Sequence, residues 1–409
     1  MSDDRGDHDA VVHGIPALRR LGGPTCLHTS GRRSPFLLRP RAAITPLRRG
    51  PYAPWVAESA DKVTRFDPRG IARPAVDEWL SAHVEGATAP FDYKLIAAGG
   101  SNLTFRVTDD AGHQWALRRP PDGHTLPTAH DMHREYRLMS ALAGSAVPVP
   151  ACIAYCDDNS VTGAQFYVMS FVDGHILRDR ASCAAMTEHD ADVATNSLVD
   201  VQVAMHTTDI DAVGLGDLAK RDDYVGRQLK RWRDQVERAN IRDLPLMVEL
   251  HERMSRAKPR EVAPPALAHG DYRFDNTVMN DDYKIVAVLD WELCTIGNPV
   301  ADFAWSMLYW TDPGATMFVL SDPPTLEPIF CRSDEVIRRY QARSGFDLSD
   351  LPYYRVFSWW KQACIVEGAY ARRLAGATGG MAPSGSVHDI ATRVDRTLEH
   401  AHELARGVL

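Results

Sequence analysis

The chain has 409 residues, 44% of them hydrophobic, with 26 Pro, 28 Gly and a formal net charge of −8. That composition belongs to a globular protein of two domains or to one bilobal enzyme, and no apolar run approaches the roughly 18 residues needed to cross a bilayer. Seven scattered Cys, an odd number, do not form the pattern of a disulfide framework and point to a reducing, cytoplasmic setting.

The charge is uneven along the chain. Residues 10–57 hold eight Arg and neither a Lys nor an acidic residue, broken by seven Pro and five Gly. With no helical or strand periodicity, residues 1–60 read as a disordered basic leader rather than a targeting peptide or a nucleic-acid arm. Order is expected from about Phe66. A short amphipathic helix starts at Pro74, and strand-like runs follow at Tyr93–Ala97, Leu103–Thr108, Gln114–Arg118, Ala151–Tyr155 and Gln165–Phe171. One helical stretch, about 129–143, interrupts them. From about 174 helical patterns dominate, with Tyr283–Asp290 as the strand-like exception. The expected organisation is α+β: a sheet-rich N-terminal lobe over 61–172 and a larger, mainly helical lobe over 173–409.

Three features carry chemistry. Gly99, Gly100, Ser101 and Asn102 link two strand-like runs, where paired glycines let backbone N–H groups approach an anion or simply form a hairpin turn. Arg118 closes a later strand, and Glu135 projects near the apolar face set by Met132, Tyr136 and Met139. A carboxylate there needs a cation, so the two residues are candidates to meet, either around a nucleotide's phosphates or as a structural ion pair. The third feature is His269-Gly270-Asp271-Tyr272-Arg273-Phe274-Asp275-Asn276, followed by Asp290 at the end of the next strand. Mg²⁺ prefers oxygen donors, which Asn276 and Asp290 supply against triphosphate oxygens. A separate carboxylate, Asp271, is then placed to take the proton of an acceptor hydroxyl as phosphoryl transfer proceeds.

These motifs, with Val168–Gly174 and Asp302, resemble the aminoglycoside phosphotransferase and choline kinase-like superfamily over roughly residues 90–400. The resemblance implies a bilobal protein-kinase-like fold with ATP between the lobes, and adenine meeting the backbone of Ser170 and Val172. It also implies supporting roles for His206 and His269, and an Asp302 that braces the catalytic loop through its amides. One departure is Arg118, where kinases usually carry Lys; the planar guanidinium is not equivalent to an ammonium.

The acceptor is less marked. Residues 303–409 hold 11 basic and 12 acidic residues, without the acidic excess expected for a cationic substrate. Arg338-Arg339, Arg343, Trp359-Trp360-Lys361 and Arg372-Arg373 instead form local basic and aromatic clusters, suited either to an anionic group or to solvated helix faces over core Trp. The runs Gly99–Thr104, Leu117–Pro121, His269–Asn276 and Glu367–Arg372 most resemble the kinase domains associated with acyl-CoA dehydrogenases. That branch implies ATP-dependent phosphorylation of a hydroxyl on a hydroxyacyl-CoA or related hydroxy-metabolite, with too few residues following for the dehydrogenase itself. The alternatives are an aminoglycoside or choline phosphotransferase and, from another class, a nucleotide-binding pseudokinase. A small-molecule partner, such as a CoA thioester, is expected; neither a membrane nor a nucleic acid is. Thr187 with Glu188 and Asp190 reads as a helix start, and His400 and His402 as surface residues.

Overall fold

The computed structural model describes residues 70–98, 102–121, 131–376 and 386–409; the leader over 1–60 and the candidates Gly99, Gly100 and Ser101 lie outside them. Pro74 sits in the first turn of α1 (Arg73–His83), where its missing N–H costs nothing, and Val76 and Leu80 bury one face. An antiparallel sheet follows: β1 (Asp92–Ala98), β2 (Leu103–Thr108), β3 (Gln114–Arg119), β4 (Cys152–Cys156) and β5 (Phe166–Ser170). Its spatial order is β1-β2-β3-β5-β4. Helix α2 (Met132–Leu142) connects β3 to β4, and a single turn, α3 (Asn159–Thr162), lies between β4 and β5.

Alternation along the strands decides what each face of this sheet meets. Phe105, Val107, Trp115, Leu117, Phe166 and Val168 turn one way and form one core with Val76 and Leu80 of α1. Ala116, Tyr167 and Met169 turn the other way, against Met132, Leu138, Met139 and Leu142 of α2. Glu135 shares that buried face of α2. The sheet therefore carries a charged residue into its own core, and a cation must follow it.

The second lobe is built on α4 (Glu188–Thr207), α5 (Tyr224–Ala239), α6 (Pro245–Arg256), α7 (Pro299–Ser306), α8 (Ser333–Ser344), α9 (Leu351–Leu374) and α10 (Val387–Ala405). Thr187 starts α4 through a capping box, its hydroxyl accepting the Asp190 N–H at 3.2 Å while Asp190 Oδ2 accepts the Thr187 N–H at 2.8 Å. Helix α9 is buried on nearly every side between its neighbours. Two short antiparallel pairs, β6 (Ala266–Ala268) with β9 (Thr295–Gly297) and β7 (Thr277–Met279) with β8 (Ile285–Val288), belong to this lobe.

Three details differ from the sequence reading. The strand expected over Tyr283–Asp290 is only Ile285–Val288, because Tyr283 (φ 57°) and Asp290 (φ 63°) adopt left-handed backbone. His400 and His402 are half-buried rather than at the surface: the α10 face that packs on α9 brings the His400 ring to 4.7 Å from Trp359, and this burial lowers its pKa. The arginines of α8 each have a carboxylate partner: Arg338 pairs with Glu335, Arg339 with Asp192 and Glu335, and Arg343 with Asp200.

Candidate active site

The catalytic-loop segment leaves β6 at Ala268 and turns at Gly270. Gly270 has φ +82°, and a Cβ there would lie 2.9 Å from the Leu293 carbonyl; a side chain would push apart the two segments that carry Asp271 and Asp290. Helix α7 fixes the loop from below. Its first N–H groups, those of Val300 and Ala301, are capped by Asn298 Oδ1 at 2.9 and 3.0 Å, and this places Asp302 in the first turn. The Asp302 carboxylate accepts the N–H groups of His269 (3.1 Å) and Gly270 (2.9 Å) and the ring nitrogen Nε2 of His206 (3.1 Å). Burial pushes its carboxyl up, but these donors and the nearby His269 outweigh burial and hold the pKa below the usual carboxylate range. His206 Nδ1 meets the Tyr340 hydroxyl at 2.6 Å.

His269 is fully buried. Its Nδ1 accepts the Asp271 N–H at 3.2 Å, so Nε2 carries the proton and donates it to the Leu289 carbonyl at 3.0 Å. Burial lowers its pKa, consistent with a neutral ring. The imidazole thus ties the residue before Asp290 to the segment carrying Asp271.

Asp271 and Asn276 meet directly: Asn276 Nδ2 donates to Asp271 Oδ2 at 2.9 Å and to its carbonyl at 2.8 Å. The Asn276 side chain spends its donor there, leaving its oxygen for another partner. Asp271 Oδ1 accepts the Tyr309 hydroxyl at 2.6 Å, and Arg273 Nε lies 3.4 Å from Oδ2. Arg273 also pairs with Asp275 at 3.1 Å and stacks 4.9 Å from the Tyr309 ring centre. Burial, opposed by Arg273, raises the Asp275 pKa to about 6.

Arg118, Glu135 and Asp290 form one cluster across the lobes. Arg118 Nε donates to Glu135 Oε2 at 3.0 Å, and another guanidinium nitrogen reaches Asp290 Oδ1 at 2.5 Å. Glu135 also accepts the Tyr167 hydroxyl at 3.0 Å and the Asn102 amide at 3.1 Å. Burial raises the Glu135 carboxyl while Arg118 opposes it, and the surrounding carboxylates keep the guanidinium charged. Asn102 donates to Glu292 as well, at 3.2 Å, and its own Oδ1 is buried without a partner among the described residues. Arg134, one turn before Arg137 on α2, donates to the carbonyls of Glu292 and Cys294.

Ser170 and Val172 sit apart from this cluster, where β5 leads into the second lobe. The Ser170 N–H is already given to the Ala151 carbonyl at 2.8 Å. Past them, Gly174 (φ +155°) packs so closely on Met279 that a Cβ would lie 2.2 Å from its carbonyl, and His175 and Met279 exchange backbone hydrogen bonds at 2.7 and 2.9 Å. The sequence reading missed Tyr309, Arg134 and Arg273 as parts of the site. Arg273 lay inside the motif already singled out; Tyr309 and Arg134 carried no local signal, because only the fold brings them to Asp271 and to the Asp290 segment.

Comparison with known proteins adds independent findings. A family model described as the phosphotransferase enzyme family matches residues 92–344. Acyl-CoA dehydrogenase family member 11 of Gallus gallus is 33% identical over 84% of this chain and 44% of its own length, so the chain spans less than half of that relative. A solved structure from Ralstonia eutropha JMP134, designated an aminoglycoside phosphotransferase, is 30% identical with a TM-score of 0.69, covering 82% of this chain and 98% of its own. Aminoglycoside 2'-phosphotransferase-IIIa, solved with GDP, shares the fold at 15% identity and a TM-score of 0.55, over 82% and 99% of the two chains.

Proposed function

We propose, from the premise that the chain belongs to the phosphotransferase enzyme family, that it transfers the γ-phosphoryl group of ATP to a hydroxyl of a hydroxyacyl-CoA or related hydroxy-metabolite. The observation that carries the reading is the joining of Asp271 to Asn276 at 2.9 Å within a loop whose other end holds Asp290. In this reading ATP lies between the lobes, its adenine against the Ser170 carbonyl and the Val172 N–H and its phosphates near Asn102 and Arg118. The GDP complex of aminoglycoside 2'-phosphotransferase-IIIa, which shares the fold, supports nucleotide binding.

The donor set fits Mg²⁺: the Asn276 amide oxygen and the Asp290 carboxylate are hard oxygen donors, and Asn276 is oriented by giving its N–H to Asp271. When bound, Mg²⁺ neutralises charge on the phosphate oxygens. Asp271 has two oxygens with about four acceptor positions between them; Tyr309, Asn276 and Arg273 engage it without exhausting them. It orients the acceptor hydroxyl and takes its proton as the new O–P bond forms. The bond from Pγ to the bridging oxygen breaks, and ADP leaves with that oxygen. Arg273, held between Asp271 and Asp275, sets a cation against both carboxylates and opposes the rise that burial and Asp271 impose on the Asp275 carboxyl.

The curated relative's acyl-CoA dehydrogenase designation favours a CoA-linked acceptor over an aminoglycoside or an amino alcohol. The test is ADP release by the full chain across hydroxyacyl-CoAs, sugars, choline and aminoglycosides, with Asp271→Asn as the blank. Turnover confined to hydroxyacyl-CoAs is expected. Turnover of choline or an aminoglycoside alone would replace the acceptor, and nucleotide binding without any Asp271-dependent transfer would make the protein a pseudokinase.

A further inference from the structure

Lys361 lies in the middle of α9 and is only 9% exposed. Its ammonium sits 3.9 Å from the ring centre of Trp305 on α7 and 5.8 Å from that of Trp232 on α5. Among the described residues it has no hydrogen bond and no ion pair. The half-buried cations of this lobe differ: Arg242 holds Glu367 at 3.0 Å, and Arg273 holds Asp275 at 3.1 Å. Two indole faces offset part of the desolvation cost of an ammonium, but they supply no acceptor for its three N–H bonds.

A second donor beside it is also unused. The Trp305 Nε1–H is buried and without a partner among the described residues, whereas the indole N–H groups of Trp291, Trp310 and Trp360 each donate to a backbone carbonyl. An indole and the ammonium stacked on it thus present only donors, and buried donors call for an oxygen that the protein does not provide. Their position relates them to the acceptor. The Trp305 ring packs 6.4 Å from the Tyr309 ring, and Tyr309 is the residue that hydrogen-bonds Asp271.

We propose that Lys361 and the Trp305 indole N–H receive an acyl oxygen of the acceptor, a carboxylate or the carbonyl of its thioester, while the hydroxyl of the same molecule faces Asp271. The Trp305 and Tyr309 rings link Lys361 to Asp271. A quaternary ammonium or an aminoglycoside meets the wrong charge there. The inference rests on the kinase reading for the place of the hydroxyl; the unused donor pair does not depend on it.

Calorimetry on the full chain, saturated with a non-hydrolysable ATP analogue, separates the two. The probes are hydroxybutyrates with the hydroxyl at carbon 2, 3 or 4, their CoA thioesters, choline and kanamycin. At least one acyl probe is expected to bind, with affinity falling 30-fold or more in Lys361→Met and about tenfold in Trp305→Phe, staying within a few-fold in Lys361→Arg, and with ATP-analogue affinity unchanged throughout. Thermal melts of each variant show that it is folded, and Trp305→Phe keeps the test open if Lys361→Met is not. Preference for the free acid or for the thioester identifies the source of the oxygen. Acyl binding indifferent to both substitutions, no acyl binding at all, or choline or kanamycin binding in place of the acyl probes would overturn the inference. Lys361-dependent acyl binding with no ADP release from ATP would leave the donor pair standing and sink the kinase reading instead.

Discussion

Arg118 and Lys361 are both buried cations in the same molecule, and they are treated in opposite ways. Arg118 is held by carboxylates from both lobes, Glu135 and Asp290, with Tyr167 and Asn102 sharing the Glu135 oxygens. Lys361 has two aromatic faces and no counter-ion among the described residues. A cation satisfied inside the protein contributes to the framework and is costly to disturb; a cation left unsatisfied costs stability and is open to a ligand. The contrast separates the side of the site proposed to take the nucleotide, whose charges are already paired, from the side proposed to take the acceptor, where they are not.

The largest expected effect falls between the two cations. Asp271→Asn removes the proposed base and keeps only one of the two oxygens that Tyr309 and Asn276 now use, so turnover should drop about a thousandfold with a much smaller loss of stability. Steady-state ADP release and a thermal melt on the same sample check this. A loss of stability matching the loss of turnover would mean that Asp271 is framework, like Glu135, and would blur the contrast.

Glu135→Ala attacks the satisfied side. It strands the Arg118 charge with Asp290 alone and leaves the Tyr167 hydroxyl and the Asn102 amide without their shared acceptor. Removing one partner of a buried pair costs about 3 kcal/mol or more, to be read from urea unfolding. Lys361→Met should do the reverse and raise stability, because it removes a buried unpaired charge. The effect has a defined pH dependence. Burial lowers the Lys361 pKa from 10.5 to about 8, with Arg231 lowering it further and Asp302 and Asp271 opposing. Below pH 8 both folded and unfolded chains carry the proton, and the folded state bears the full cost. From about 8 to 10.5 the unfolded chain keeps a proton that the folded chain has released, so this residue's contribution to stability rises with pH. The advantage of Lys361→Met, on the order of 3 kcal/mol at most, should therefore be greatest below pH 8 and fade towards pH 10.5. Paired denaturation curves at pH 7 and pH 10 measure it; a constant advantage, or a loss of stability, would mean that the lysine is satisfied after all.

The same contrast marks what the sequence could show. Strands of five or six residues with alternating apolar positions, such as Phe105/Val107 and Phe166/Val168, announce the sheet, and Pro74 and the Thr187 cap announce helix starts. The three-residue strands β6, β7 and β9 are too short to show a period, and they are what carries the catalytic-loop segment. Asp271, Asn276 and Asp290 stood out as candidates because their chemistry sits in one 20-residue stretch. Arg118 and Glu135 could be paired because a carboxylate on an apolar helix face requires a cation. Tyr309, Arg134 and the isolation of Lys361 could not be foreseen: each depends on which helix packs against which, and Lys361 looked like part of one of several basic clusters, of which the α8 arginines in fact have carboxylate partners.

Arg118→Lys makes the smallest change and bears on how the framework side works. The guanidinium reaches Glu135 through Nε and Asp290 through a terminal nitrogen, two donors fixed in one plane. A lysine offers one ammonium that can sit between the carboxylates but cannot repeat both bonds in that geometry. If the pairing serves only to neutralise charge, as the usual kinase lysine would, the substitution should cost about 1 kcal/mol of stability and shift the Michaelis constant for ATP by less than about tenfold, equivalent to 1.4 kcal/mol. A hundredfold shift at unchanged stability would show instead that the fork itself grips the phosphates, and that Arg118 gives up part of its carboxylate pairing when nucleotide enters. In that case the two cations would differ in degree, since both would hold donors in reserve for a ligand.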